Sequence, residues 1–325
     1  MALSPMEGTS PLEGKKVVVA LGGNALGPDP SKQFERLGHA AENLALLVKE
    51  GVNVVVTHGN GPQVGVIDEA FEAARKSGDG TPPMALSDCN AMSQGFIGAQ
   101  LGLQLRNSFR RHDVMRNAAN VPTHVVVDAD DPAFKDLEKP IGAFMTEKEA
   151  QAFSRATGFP VREDSGRGWR RVVASPVPQD IVELETVRDL MEDGCVVVAC
   201  GGGGIPVVQD DGALRAVDAV VDKDLSSSML AWKVEADVLV ILTAVEKVYV
   251  DFNCPTQKAV DTMTCSEARA YIAQGQFAPG SMLPKVEACV RFVEARPGSR
   301  AVITSLDHAA EGLRGETGTV VCADT

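Results

Sequence analysis

The chain has 325 residues, enough for one large α/β domain or two lobes with their own cores. Its 44% hydrophobic and 23% charged residues exclude a mainly disordered state, and with only 5% aromatics the core has to be filled by Val, Ala, Leu and Ile, as in parallel strands packed between helices. A formal net charge of −13 argues against nucleic acid and anionic membranes as partners, so positive charge for an anionic substrate has to be local.

Residues 1–14 lack a continuous apolar stretch and read as a disordered lead-in. Residues 17–21 are a β-branched run of the kind buried in parallel sheets, and Gly22-Gly23-Asn24 follows. Phe34, Leu37, Ala41, Leu44 and Val48 recur at spacings of three and four, which predicts a helix stopped by Gly51. Residues 52–57 predict a second buried strand, followed by His58-Gly59-Asn60-Gly61-Pro62 and a helix over 63–76. This alternation implies right-handed βαβ crossovers and a parallel sheet. A long helix is expected over 87–111, capped by Ser87 or Asp88, then a strand over 123–127.

The texture changes over residues 128–175, which carry a predicted helix (146–157) and a hairpin-like pair (161–163 and 169–173). This stretch reads as an inserted flap, projecting and lightly packed, with Lys139 on a Pro-stiffened loop. The α/β rhythm then resumes with a helix over 181–193 and a strand over 195–200 that enters Gly201-Gly202-Gly203-Gly204. A hairpin turning at Asp210-Asp211-Gly212, a helix over 225–235 and a strand over 238–242 follow. Thr264 and Glu267 form a capping box for a helix over 265–274. A helix over 284–295 and strands at 301–305 and 318–321 close the chain. The seven cysteines are scattered without a C-x-x-C pair and read as reduced thiols in a cytoplasmic protein, and the longest apolar runs are too short to span a bilayer.

Three glycine clusters directly follow predicted strands: Gly22-Gly23, Gly59-Asn60-Gly61 and Gly201 to Gly204. Strand carboxyl ends line the ligand crevice of open parallel sheets, and glycine lets backbone N–H groups approach an anion. Any one cluster alone reads more simply as a tight turn; three together favour the ligand reading. No phosphate-binding G-x-x-x-x-G-K-[ST] run is present, and the spacing from Gly59 to Gly65 is one residue too long for a dinucleotide fingerprint. Lys223 and Lys285 both stand where a helix is expected to begin, which is unfavourable for a cation unless an anion shares the site. An exposed lysine paired to a neighbouring carboxylate is the plainer alternative for each. His58 ends a buried strand and fits two roles, a hydrogen-bonded structural histidine, which is favoured, or a general base. The five histidines are dispersed, with no metal-ligand spacing.

Together these segments resemble the amino acid kinase family and, within it, the carbamate kinase branch, over about residues 16–321. The resemblance rests on Val18-Val19-Ala20-Leu21-Gly22-Gly23-Asn24-Ala25-Leu26, Thr57-His58-Gly59-Asn60-Gly61-Pro62-Gln63-Val64-Gly65 and Ala91-Met92-Ser93-Gln94-Gly95. It rests further on Lys139-Pro140-Ile141-Gly142, Gly166-Arg167-Gly168-Trp169-Arg170-Arg171, Gly201-Gly202-Gly203-Gly204-Ile205-Pro206, Asp222-Lys223-Asp224 and Gly280-Ser281-Met282-Leu283-Pro284-Lys285. Leu283 departs from the pattern, standing where glycine is more usual.

The resemblance implies an α/β fold, a three-layer αβα sandwich around a mainly parallel central sheet with a small projecting subdomain. It implies a cytoplasmic homodimer that catalyses ATP + carbamate ⇌ ADP + carbamoyl phosphate, serving arginine catabolism. Mg²⁺ would be the cofactor, held by the nucleotide phosphates and by no side chain. Residues 15–322 would be the kinase domain: 15–178 the carbamate side with the flap at 128–175, and 179–322 the nucleotide side. Lys139, Lys223 and Lys285 would neutralise the anions, with Asp222 orienting the lysines. Gly22, Gly23, Asn24, Gly59, Asn60, Gly61, Gly201 and Gly202 would hold the phosphoryl group. Thr243, Ala244, Val245, Tyr249 and Met282 would wall the adenine pocket. A kinase of a larger acid, such as acetylglutamate or glutamate, and a non-catalytic ligand sensor on the same fold are the alternatives. The flap argues for a smaller covered pocket, and the retained lysines argue for an enzyme.

Overall fold

In the computed structural model, which describes residues 10–27, 30–61, 63–78, 80–164 and 166–324, the first two apolar runs are adjacent parallel strands. They are β1 (Lys16–Leu21) and β2 (Asn53–His58), joined through α1 (Gly23–Leu26) and α2 (Pro30–Lys49). Val18, Ala20 and Val55 point into one core; Val17, Val19, Leu21, Val54 and Val56 point into another. Strands apolar at every position need helices on both faces, and the rest of the chain supplies them.

In chain order there follow α3 (Gln63–Ser77), α4 (Leu86–Arg111), β3 (Ala118–Asn120) and β4 (His124–Val127). The flap contributes β5 (Lys139–Met145), α5 (Glu147–Thr157), β6 (Val161–Glu163) and β7 (Trp169–Val173). Next come β8 (Pro178–Ile181), α6 (Leu184–Glu192), β9 (Val196–Val198), β10 (Ile205–Asp210), β11 (Ala213–Ala216) and α7 (Lys223–Lys233). The last third holds β12 (Val238–Thr243), β13 (Val248–Val250), β14 (Lys258–Val260), β15 (Thr262–Thr264), α8 (Cys265–Ala273), α9 (Met282–Ala295), β16 (Arg300–Ser305), α10 (Ala309–Arg314) and β17 (Thr319–Cys322).

The central sheet has eight strands in the order β15-β17-β16-β12-β1-β2-β9-β3, parallel throughout except for the β16–β17 pair. One face packs against residues of α7, α8 and α9, the other against residues of α2, α4 and α10, which gives the three layers. Because β9 pairs with both β2 and β3, the two halves of the chain share one sheet. A second sheet runs β11-β10-β4-β8. Among the described residues no helix is long and apolar enough to cross a membrane.

Several expectations shift. Residues 1–9 of the lead-in lie outside the described residues, while residues 11–14 form a turn that seats Leu12 in the core and bonds Gly14 N–H to the Gly51 carbonyl at 3.0 Å. Neither Ser87 nor Asp88 caps α4. The helix starts after Ala85, and the carboxylate of Asp218 accepts from Leu86 N–H at 3.0 Å instead. Lys139 is in a strand, not a loop. β5 is the edge of the flap sheet β5-β7-β6, where proline at position 140 costs no ladder partner on its open side.

The flap also packs more firmly at its root than expected. Arg171 on β7 pairs with Asp68 of α3 at 2.6 Å, with both side chains nearly buried, and its guanidinium lies 3.6 Å from the centroid of Phe159. Glu69 of α3 accepts from Ala143 N–H at 2.7 Å. Ile141 and Val173 form a small core with Val64, Leu86, Cys89 and Val220. Gly65 of α3 makes this docking possible, because a Cβ there would stand 2.5 Å from the Cα of Gly142. Gly65→Ala is therefore expected to cost about 1–3 kcal/mol by overpacking and to raise hydrogen exchange selectively in β5 and β7. Wild-type exchange in those strands would contradict the close docking.

Candidate active site

The glycine turns after β1, β2 and β9 converge on one cleft of about 390 Å³ at the carboxyl ends of these strands. Gly23, Gly59, Asn60, Gly61 and Gly202 line it, together with Lys223, Gly280 and the flap residues Lys139, Pro140, Ile141, Gly142 and Arg170. Gly22 and Gly201 sit behind it as points of close approach. A Cβ on Gly22 would meet the Leu242 carbonyl oxygen at 2.3 Å, and one on Gly201 would meet the imidazole Nε2 of His58 at 2.5 Å. The side chain of Asn24 lies outside the described residues.

The lysines are held by two carboxylates. Asp222 is the N-cap of α7, its Oδ1 accepting from Asp224 N–H at 2.8 Å. Its Oδ2 accepts from the Lys139 ammonium at 2.7 Å, which ties the flap to the helix. Asp224, in the first turn of α7, is shared: its Oδ1 pairs with Lys223 at 2.8 Å and its Oδ2 with Lys285 of α9 at 3.1 Å. The expected role of Asp222 is thereby corrected. Asp224 orients Lys223 and Lys285, and Asp222 orients Lys139. Cap geometry is the reason, since an N-cap carboxylate is turned toward the backbone N–H groups of its own helix.

Burial lowers the pKa of Lys223 below the ordinary lysine range; Asp224 opposes this shift and Lys285 adds to it. For Asp224, burial works upward, but the two ammonium charges prevail and hold its carboxyl well below the usual carboxylate range, at about 2. With both lysines in their cationic form, the three groups carry one surplus positive charge. Leu283, where glycine is more usual, lies in α9 two residues before Lys285 and packs against the large core.

His58 is fully buried, and burial pushes its pKa down to about 4. As a neutral imidazole it donates from Nδ1 to the Gly59 carbonyl at 2.8 Å. It shapes two glycine turns, which favours the structural reading over the general base. Asn60 and Asn90, donating to the carbonyls of Gly202 at 3.1 Å and Gly204 at 2.6 Å, fix the third turn. Asn90 and the Gln94 pair of bonds to Thr123 give structural work to α4 that periodicity alone does not reveal.

A second hollow of about 160 Å³ adjoins the ends of β12 and α9. Thr243, Ala244, Val245, Tyr249 and Met282 all line it, as expected; Phe252, Gln276, Phe277, Ala278 and Ser281 complete it and were not foreseen. Asp251 pins Gln276 through two hydrogen bonds, at 2.7 and 3.1 Å. Gly280 in the cleft and Ser281 in the hollow are consecutive, so one α9 N-terminus serves both spaces. A hollow of about 420 Å³ lies at the opposite ends of the strands, with Lys15 on Asp237 and Arg314 on Glu316 already paired within it.

The sequence profile of the amino acid kinase family matches residues 15–305. The carbamate kinase-like protein YqeA of Escherichia coli is 48% identical over 308 residues, covering 95% of this chain and 99% of that protein. A carbamate kinase of Clostridium perfringens is 45% identical over 311 residues, covering 94% and 99% respectively. The structure of carbamate kinase from Giardia lamblia bound to AMP-PNP superposes with a TM-score of 0.87 at 40% identity, covering 96% of this chain and 99% of that one.

Asp224→Asn should show what the shared carboxylate does. Removing its charge takes away the influence that opposes the lowering of the Lys223 pKa, so the amine should lose its proton at a lower pH than in the wild type. Amine labelling of Lys223, read by mass spectrometry across pH, is expected to rise earlier on the pH axis in the variant. An unchanged labelling curve would mean that Asp224 does not support the lysine charge.

Proposed function

The chain belongs to the amino acid kinase family, and on that premise we propose that it is a carbamate kinase, moving a phosphoryl group reversibly between ATP and carbamate. The observation that carries this reading is the convergence of Lys223, Lys139 and three glycine turns on one small flap-covered cleft beside an apolar hollow. The nucleotide occupies the hollow with its base, and its phosphates extend past Gly280 and Ser281 to the cleft. The 179–322 side thus holds the nucleotide and the 15–178 side the carbamate.

Phosphoryl transfer asks for alignment and charge neutralisation more than for covalent chemistry. Carbamate is already an anion, so no side-chain base is needed, in keeping with a buried neutral His58. Backbone N–H groups of Gly23, Gly59, Asn60 and Gly61 surround the transferring group. Lys223 and Lys285, aligned by Asp224, take up charge that grows on its oxygens. Lys139 exchanges Asp222 for the arriving anion. Its side chain is 33% exposed and that of Asp222 17%, so the pair is partly solvated, contributes little, and is cheap to exchange.

Bound on the nucleotide phosphates, Mg²⁺ supplies further neutralisation of their oxygens. Both oxygens of Asp224 are already engaged by lysine ammonium groups. That donor set fits a metal carried by the phosphates. The seven unpaired cysteines suit a reducing, cytoplasmic setting, and making ATP from carbamoyl phosphate in arginine catabolism fits the same reading. A homodimer would form through α4, which exposes Phe96, Ala99 and Leu103 on one side of the helix.

Supplied with carbamoyl phosphate and Mg-ADP, the protein is expected to form ATP. No ATP, together with phosphorylation of acetylglutamate or glutamate, would replace carbamate by a larger acid; no turnover of any of these would favour a ligand sensor. Lys223→Ala should lower kcat by on the order of 10²–10³. Lys139→Ala should weaken carbamoyl phosphate far more than ADP in kcat/KM, and equal small effects on both would remove Lys139 from the site.

A further inference from the structure

Among the described residues three charged side chains line the cleft, and all three are cations: Lys139, Lys223 and Arg170. The first two belong to the kinase machinery already described. Arg170 stands on β7 of the flap, 21% exposed, and no role in that machinery accounts for it. Its Nε donates to the Gly142 carbonyl at 3.0 Å and its Nη1 to Asp164 at 3.1 Å, while its guanidinium lies 5.0 Å from the ring centroid of Phe144. Asp164 is only 8% exposed, and its other oxygen accepts from Arg167 at 2.9 Å.

One carboxylate therefore sits between two cations, and the trio has one positive charge more than it needs. Asp224 between Lys223 and Lys285 makes the same arithmetic on the opposite wall. Lys139 and Asp222 cancel. Asp68, Glu69 and Glu72 line the hollow behind β5 and not the cleft. The cleft is thus flanked by two surplus charges, one on α7 and α9 and one on the flap.

We propose that Arg170 is an anion-binding residue of this site, with the surplus charge of the Arg167–Asp164–Arg170 trio selecting the doubly charged acyl phosphate, carbamoyl phosphate, over singly charged or neutral competitors. The inference rests on the carbamate kinase reading. Arg170 already fixes the inner edge of β5 through Gly142, so its free N–H edge is presented at low entropic cost. A charge-assisted bond of this kind is strong enough to alter affinity on the order of tenfold or more.

Steady-state kinetics in the ATP-forming direction test it. Arg170→Gln is expected to raise KM for carbamoyl phosphate about tenfold or more, leave KM for ADP within about twofold, and flatten the dependence of the former on salt. Arg170→Lys keeps the charge but not the fork that holds Gly142 and Asp164, and it should recover the salt dependence and part of the lost affinity. If Lys is as impaired as Gln, Arg170 merely braces the flap and the proposal falls; equal effects on both substrates, or none, also overturn it. Should Arg170→Gln fail to fold, Arg167→Gln reads the same charge at an exposed position outside the cleft. A rise in KM for carbamoyl phosphate of about threefold is expected there, and an unchanged value sinks the idea. Wild-type protein that makes no ATP from carbamoyl phosphate would refute the function instead, before any variant is compared.

Discussion

Two ammonium groups held side by side and away from water repel each other and lose hydration, so the site depends on the one carboxylate between them. Asp224 pairs with Lys223 and Lys285 through separate oxygens and is itself almost wholly buried. It offsets one charge and leaves one, which is the condition for an anion to enter a low-dielectric space with net gain. The rest of the architecture keeps that carboxylate where it is. Asp222 caps α7 directly before it, Ser226 donates to the Gly203 carbonyl at 2.7 Å, and Thr57 meets Ser227 at 2.6 Å. The helix is locked against both the third glycine turn and β2, so the lysines inherit their positions from the central sheet.

The glycines do two kinds of work. Gly23, Gly59 and Gly61 face the cleft, where a bare backbone can approach an oxyanion. Gly203 and Gly204 are required by crowding and conformation together, with φ of +92° and +89° and a hypothetical Cβ 2.1 Å from the Val221 carbonyl oxygen and 2.2 Å from the Val125 side chain. A glycine run that reads as a flexible phosphate loop is thus a tightly packed joint. The rigidity follows from the absent side chains.

Most of the sheet and its covering helices were legible because β-branched runs and three-four periodicity report burial directly. Elements of three or four residues, such as β3, β13 and β14, carry too few side chains to show a period, and β5 was hidden by a proline that only its edge position permits. Of the candidate site, the glycine turns, the lysines and five residues of the hollow were legible as sequence features, and the structure brings them together. The choice between Asp222 and Asp224 was not: both flank Lys223, and what separates them is a cap geometry and a partner 61 residues away on α9. Arg170 was invisible for a similar reason. In a run with Arg167 and Arg171, only the fold tells which guanidinium faces the cleft, which faces α3 and which faces solvent.

These contacts also limit how the flap can work. A lid swinging from a loose hinge would have to break the nearly buried Arg171–Asp68 pair and reopen the contact of Gly65 with Gly142, at a cost well above that of a surface rearrangement. The Lys139–Asp222 contact is different in kind: partly solvated, made by one flexible side chain, and exchangeable for a substrate oxygen without moving the backbone. Under the proposed function, closure would consist of a change of ionic partner at β5 while the root stays docked. Pro140 and Ile141, next to Lys139 on β5, already line the cleft, so an arriving anion would meet this apolar edge without movement of the flap root.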